Sequence, residues 1–259
     1  SASNINAVVD GTLDFGIAQA DHQFQAYYGL GSWESQGEQS SLRSVLSLYT
    51  ESVTLLAGAD TEIRTISDLA DKRVDIGEPG SGTRLNAIDA LQAAGMNWQS
   101  DIRVHEEPSG ERLASFIHGD VDAFFYTVGH PTTVANFATY SVRGGRFVEL
   151  EGVEGLLESK SYYSRSSIPV GLYPRASNLE DVQTFGTRAT LVTSADVPND
   201  IVYALVKAVH EKRHTLGNYN EVLDGIQPAD FVSGLTAPLH PGAERFYREI
   251  GLELPGAVD

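Results

Sequence analysis

Apolar residues recur along this chain in two rhythms, one helical with a period of about 3.6 residues and one alternating as in strands. The opening stretch, SASNINAVVDGTLDFGIAQAD, sets Ile5, Val8 and Val9 on one helical face behind Ser3, a candidate N-cap. Gly11 ends that helix, as glycine does just past a C-terminus. Leu13, Phe15 and Ile17 then alternate as a strand that stops at the polar group Gln19 to Asp21. A later stretch, LASFIHGDVDAFFYTVGH, repeats the plan. Leu113, Phe116 and Ile117 form a helical face, Gly119 ends it, and a strand from Val121 to Tyr126 runs out at Thr127 to His130. Gly11 corresponds to Gly119, Asp14 to Asp122 and Ile17 to Phe125. This correspondence predicts two α/β lobes of similar build, each with a strand ending in polar side chains. In open α/β sheets, ligands collect outside such strand ends.

The other segments alternate in the same way. Val45 to Leu48 and Val53 to Ala57 are two apolar runs that predict two strands. TISDLADKRVDIG predicts a helical turn capped by Ser67, then a strand at Val74 to Ile76. SWESQGEQS, residues 32 to 40, predicts a mobile polar loop. TTVANFATYS predicts a helix, RFVEL a strand, EGLLESKSYY a short helix and SIPVGLYP an extended segment broken by proline. RATLVTS predicts a strand. PNDIVYALVKAVHEKRHTL predicts a helix with Pro198 near its start and Ile201, Leu205, Ala208 and Val209 on its buried face. GAERFYREIGL is the last predicted helix, started by His240 and by Pro241 at its first position. Strands alternating with helices make the class α/β.

Composition narrows the function classes. The 259 residues suffice for one large domain or two smaller ones, at an ordinary globular composition of 41% hydrophobic and 20% charged. Eighteen basic against 35 acidic residues give a net charge of −17, a surface that repels nucleic acid. No apolar run is long enough to span a membrane, and the first residues carry no basic and apolar secretory signal. Cysteine is absent, which excludes disulfides, thiol catalysis and thiolate metal sites and fits a periplasmic setting.

The stretch DIGEPGSGTRLNAIDALQAAG, residues 75 to 95, predicts a strand, a glycine-rich turn and a helix. A P-loop needs a lysine after its last glycine, but Thr83 and Arg84 follow Gly82, and Glu78 adds negative charge. The dinucleotide fingerprint fails at Leu85, where its third glycine belongs. What remains is a helix start. Leu85, Ile88 and Leu91 give the helix an apolar face, and Gly95 closes it. Ser81, Gly82 and Thr83 then present free amides and two hydroxyls at the positive end of the helix. Arg84 leans the same way, since side chains tilt toward a helix N-terminus. The plainer alternative is a capped strand-to-helix turn.

At this point the residues resemble a known family. GEPGSGTRLNAIDALQAAG, GDVDAFFYTVGHP, IPVGLYP, LHPGAERFYREIGL and the N-terminal NAVVDGTLDFGIAQAD together resemble the TAXI solute receptors of TRAP transporters. The matches run in order from the first residues to the last helix. The resemblance implies a periplasmic, monomeric type II solute-binding protein: two lobes, each a sheet flanked by helices, hinged by crossover strands. It implies lobe I at 1–57 and 179–259, with lobe II at 58–178. It implies a small acidic ligand, typically glutamate or 2-oxoglutarate, passed to TRAP permease subunits, with no cofactor, metal or nucleic acid. On the family's pattern a further strand, a loop containing Gly and Tyr, and a helix precede the segment that opens this chain. Lobe I is therefore expected without its first strand, and without the ligand contacts of that loop.

Carried over residue by residue, Ser81, Gly82 and Thr83 match the loop that faces the ligand. Asn86 matches too, or is a local cap. Gln19 and Asp21 match the polar end of the first lobe's strand, though Asp21 also fits as the cap of a helix starting at His22. Tyr126 matches the edge of the second lobe's strand, where it contacts the ligand or packs in the core. His130, before Pro131, is either a ligand contact or structural, and Tyr173 fits the cleft mouth.

Asp14 and Asp122 invite pairing as catalytic acids, but each sits just after a helix-ending glycine, a turn position. His210 and His214 have helical spacing without the metal-binding H-E-x-x-H pattern, and Lys212 and Arg213 beside them predict a solvated face. A binding protein for a small carboxylate is the leading expectation. An enzyme on the same fold and the sensing domain of a channel or regulator are the alternatives.

Overall fold

The computed structural model describes residues 1–106, 108 and 110–254. From its amino end the chain runs through α1 (Ala2–Val9), β1 (Phe15–Gln19), α2 (Ala20–Tyr27) and the long strand β2 (Leu42–Gly58). It continues with β3 (Arg73–Asp75), α3 (Gly82–Ala93), β4 (Arg103–His105), α4 (Arg112–His118) and β5 (Ala123–Val128). Next come α5 (Thr133–Tyr140), β6 (Gly145–Val148), α6 (Glu154–Ser159), β7 (Ser164–Ile168) and a second long strand, β8 (Val182–Ser194). Helices α7 (Asn199–Lys212) and α8 (Pro241–Glu249) follow. Ser1–Thr50 with Thr187–Asp259 form one compact unit and Glu51–Gly186 the other, so both changeovers fall inside β2 and β8.

In the first unit β1 runs antiparallel to β8, with Phe15 opposite Thr193 and Gln19 opposite Ala189. The strand alternates as expected, but its other face is buried. Ile17 is 49% exposed, while Gly16 and Ala18 are buried. The reason is the closeness of α1: a Cβ on Gly16 would sit 3.1 Å from Asn4 Cβ, so only small residues fit beneath that helix. The first residue flanking α1 is Ser1, not Ser3, and the Ser1 hydroxyl oxygen accepts the Gln19 amide at 3.1 Å. The 32–40 stretch is anchored rather than loose at Trp33, which is 1% exposed and donates its indole N–H to Asn6 Oδ1 at 2.8 Å. Trp33 joins Ile5, Val8, Ala18 and Val192 in one core, and Val45, Val202, Val206, Phe246 and Tyr247 build a second.

Helix α7 buries Val202 and Val206, whereas Ile201 is 54% exposed. The buried face is thus turned by one residue from the expected one. α8 abuts the first turn of α7 so closely that a Cβ on Gly242 would strike the Asn199 carbonyl. His240 starts α8 as expected: its Nδ1 accepts the Gly242 amide at 3.1 Å while Nε2–H donates to Val197 O at 2.9 Å. His210 is not on a solvated face; its ring lies edge-on to Phe246, 5.4 Å between centroids.

In the second unit β3 runs parallel to β4 and β5, and β5 and β6 run antiparallel to β2. β7 runs antiparallel to β8. The two predicted strands at Val45 to Leu48 and Val53 to Ala57 are one continuous strand, β2. Neighbouring residues of β5 serve opposite cores. Phe125 packs with Ala87, Ala90 and Leu91 of α3, and Phe124 with Phe116 of α4 and Ala135 of α5. Helix α3 buries Gly82, Thr83, Asn86, Ala87, Ala90 and Leu91, while Leu85 and Ile88 are half-buried. Of the expected apolar face, Leu91 is in the core and Ile88 packs against it, and small and polar residues fill the rest of the buried side. The turn before β3 is capped by Thr65 with Asp68 in a reciprocal capping box, not by Ser67.

Both units contain the helix–glycine–strand motif seen in the sequence. Gly11 and Gly119 take φ of +79° and +80°, which a side chain would strain. Asp122 is not a simple turn residue: its carboxylate accepts the Arg73 amide at 2.9 Å and pairs with the Arg73 guanidinium at 2.6 Å.

Two substitutions read out these faces. Trp33→Ala is expected to lower the urea-unfolding free energy by about 3–5 kcal/mol. Ile201→Ala is expected to change it by less than about 0.5 kcal/mol, because the side chain is not in the core.

Candidate functional site

The site begins at the carboxyl end of β3. Asp75 is fully buried there, its Oδ2 accepting Arg112 Nε at 2.5 Å and its Oδ1 accepting the Gly77 amide at 2.8 Å. Arg112 in turn lies over the Tyr126 ring, 5.3 Å from its centroid. The pair thus ties the end of β3, the start of α4 and the end of β5 together. It also fixes the first residue of the glycine-rich turn. Gly77 and Gly80 have φ of +90° and +78°, the left-handed conformation that lets the chain double back before α3.

The turn leaves donors behind. Ser81 is the N-cap: its Oγ accepts the Arg84 amide at 3.2 Å, and its own amide donates to Glu78 O at 3.1 Å. The Ser81 amide is therefore not free, contrary to the sequence expectation. The amides of Gly82 and Thr83 have no hydrogen-bond partner among the described residues. Beside them, the Thr127 amide donates to Thr83 Oγ1 at 3.2 Å. Thr127 is only 7% exposed, and its Oγ1 is buried without a partner among the described residues. On β5 its side chain shares a face with Phe125, which packs against α3, so the hydroxyl lies on the α3 side of the strand end. Two amides and two hydroxyls thus gather at the positive end of a twelve-residue helix, an arrangement suited to an anionic oxygen.

Other sequence-predicted residues are committed elsewhere. Arg84 pairs with Glu106 at 2.5 Å, donates to Gly77 O at 3.3 Å and lies over the Trp98 ring. Asn86 is fully buried and donates to Tyr163 OH at 2.8 Å. Tyr163 OH donates to Asp89 Oδ2 at 2.7 Å, and Lys160 pairs with the other oxygen of Asp89. Asn86 therefore braces α3 from below.

His130 and Tyr173 form a second polar group in the same unit. Tyr173 is buried; its OH accepts the Thr132 amide at 2.9 Å and meets His130 Nδ1 at 2.5 Å. His130 Nε2 meets Thr54 Oγ1 at 3.0 Å. The proton order follows. Tyr173 OH, already accepting, donates to Nδ1, and Nε2–H donates to Thr54, whose hydroxyl points to Ser52 O at 3.3 Å. This order needs a neutral imidazole. Burial disfavours the cation and pulls His130 from its ordinary 6.5 to about 4.

In the first unit Gln19 and Asp21 lie together at the end of β1. α2 begins at Ala20, so Asp21 falls in the first turn rather than before it, and Gln19 is the N-cap position. Asp21 is fully buried, and its Oδ1 accepts the His22 amide at 2.6 Å and meets His22 Nδ1 at 3.2 Å. The carboxylate suits the positive end of α2.

Sequence reasoning missed Thr127, having ended the strand at Tyr126. The readable signal was a polar, β-branched residue directly after a buried aromatic run. No group of three metal-ligating side chains occurs among the described residues, and no helix among them is long and apolar enough to cross a membrane.

Residues 1–251 match the model of the NMT1-like family. The fold is similar to that of the periplasmic aliphatic sulphonate binding protein SsuA from Escherichia coli. Identity is 15% and the TM-score 0.53, over 95% of this chain and 69% of that one. It is also similar to the alkanesulfonate-binding protein SsuA from Xanthomonas axonopodis pv. citri bound to MOPS. There identity is 18% and the TM-score 0.52, over 94% of this chain and 68% of the other. A protein of Bordetella bronchiseptica RB50 matches at 14% identity and TM-score 0.55, over 97% and 86%. The architecture is the mixed α/β fold seen in these periplasmic binding proteins.

The His130 network has a pH signature. Its folded pKa lies below the unfolded one, so its contribution is complete above about pH 6.5, is lost as pH falls toward 4, and changes no further below. The loss amounts to about 3 kcal/mol at most. Urea unfolding of wild type and His130→Gln across this range should show a steeper slope in wild type, since the remaining slope from His210 and His240 is common to both. Parallel slopes would contradict the assignment.

Proposed function

The chain belongs to the NMT1-like family, and we propose that it is an extracytoplasmic receptor that captures a small acid for a membrane transporter. The observation that carries this reading is the pair of unpartnered amides at Gly82 and Thr83 with the buried Thr127 hydroxyl beside them. A folded protein rarely leaves a buried hydroxyl without a partner, since doing so costs about 1–3 kcal/mol. A ligand oxygen supplies that partner.

The helix end alone is too weak. It contributes ~0.3–1 kcal/mol, or ~2 when partly buried, against about 8 kcal/mol for micromolar affinity. The hydroxyls of Ser81, Thr83 and Thr127 add uncharged donors. Gln19 and Asp21 are the ligand groups we propose for the first unit. We assign supporting parts to Arg84, Asn86, Tyr126, His130 and Tyr173: each holds a segment near the donors through the contacts described above.

The solute we propose is a small carboxylate such as glutamate or 2-oxoglutarate, and the partner a TRAP-type permease. The support is the ordered set of motifs that resemble TAXI receptors. One observation favours a second solute class. Glu106 neutralises Arg84, so the donors at the start of α3 are all uncharged. Amides and hydroxyls suit a sulfonate, with three acceptor oxygens, as well as a carboxylate, and both SsuA proteins are sulfonate binders by name.

Isothermal titration with glutamate, 2-oxoglutarate and a short alkanesulfonate tests the reading. One class should bind at a single site and be recovered unchanged. Thr127→Val separates ligand binding from a packing role. It removes a hydroxyl with no partner among the described residues, so the ligand-free variant should be at least as stable as wild type. Binding should weaken about tenfold, equivalent to ~1.4 kcal/mol. Lower stability with unchanged affinity would overturn the role of Thr127, and no binding of any of the three acids would overturn the solute class.

A further inference from the structure

A polar cavity within the unit Glu51–Gly186 is lined by none of the residues at the start of α3. Its volume is about 430 Å³, and its lining includes Arg64, Arg146, Glu149, Glu180 and Asp181. That volume is in the range of small-molecule sites, roughly 300–1,000 Å³. Two guanidinium groups and three carboxylates share this lining without an ion pair joining them among the described residues. Part of each set is already engaged. Arg64 donates to Thr61 O and Ile63 O, and Asp181 Oδ1 accepts the Val170 amide at 2.9 Å. The floor is fixed, since Asn178 holds the edge strand β6 by accepting the Phe147 amide and donating to Phe147 O, both at 2.8 Å.

Arg146 is the unexplained group. Its side chain makes no hydrogen bond among the described residues, and its Nη1 is buried without a partner. Burial and the nearby charge of Arg64 both disfavour its cation. A partly desolvated guanidinium next to a like charge is costly unless an oxyanion meets it. The adjoining carboxylates do not do so, and as the majority charge of the lining they repel a simple anion.

We propose that this cavity binds a small zwitterion of amino-acid size. Its carboxylate meets Arg146 and Arg64, and its ammonium group meets Glu149 and Glu180. A ligand carrying both charges satisfies both signs of the lining, which neither a free anion nor a free cation can do. The site is independent of the one at α3 and of the transport reading.

The test is a titration of ¹⁵N-labelled protein with glycine, acetate and methylammonium at matched ionic strength, read at the Arg146 Nε–Hε resonance. Glycine is expected to shift it and to bind about tenfold or more tightly than acetate. Methylammonium should leave it unmoved. Arg146→Gln, which removes no side-chain hydrogen bond seen among the described residues, should abolish the glycine response on other cavity resonances. Thr127→Val should retain it, which distinguishes this site from the one at α3. A Glu149→Gln, Glu180→Gln double variant should bring glycine down to the affinity of acetate. Equal binding of acetate and glycine by wild type, an unchanged response in Arg146→Gln, or no response to any probe would overturn the proposal.

Discussion

The buried pair of Asp75 and Arg112 is the contact on which the candidate site depends. Asp75 ends β3, where it faces His105 of β4 and Phe124 of β5 in the parallel ladder. One of its carboxylate oxygens meets Arg112, and the other holds the Gly77 amide. Removing one partner of such a pair leaves a buried charge uncompensated, typically at a cost of about 3–5 kcal/mol. The pair therefore fixes the direction in which the chain leaves the sheet. Two glycines with positive φ then complete the bend, and α3 starts with its first amides held in place. The Tyr126 ring under Arg112 carries the same constraint to β5, the strand that delivers Thr127.

That arrangement separates charge from recognition. The protein is strongly acidic, yet the donors at α3 are uncharged and the nearest cation, Arg84, is held by Glu106. On the proposed reading, amides already held in place need no reordering when an anion binds, so their small individual contributions act together. The polar groups around them are satisfied internally. Asn86, Tyr163, Asp89 and Lys160 form one chain of contacts, and Tyr173, His130 and Thr54 form another. On the proposed reading, the unpartnered hydroxyl of Thr127 is the group left for a ligand oxygen.

Much of this was legible in the sequence where the rule is local. The α/β alternation, the strand-to-turn-to-helix reading of residues 75–95, the helix-ending Gly119 and the start of α8 at His240 and Pro241 all follow from neighbours a few residues apart. Faces were less legible. β1 and α7 bury a side other than the one that apolar periodicity selects, and α3 buries Leu91 of the expected face together with small and polar residues. In β1 the cause is Gly16, which admits α1 at a distance no larger residue permits. In α3 small and polar residues turn inward because Tyr163, distant in sequence, meets Asn86. The long strand β2 was divided in the sequence reading because its middle is half-buried and polar. The Arg84–Glu106 pair is a tertiary contact that no local pattern encodes.

The most direct measurement follows the backbone amide resonances of Gly82 and Thr83 by ¹H–¹⁵N spectroscopy while the tightest-binding acid is added to saturation. The prediction is a large downfield proton shift of both amides, as expected for new hydrogen bonds to an anionic oxygen. Saturation of the protein with both resonances unmoved would contradict the assignment of the start of α3 as the site.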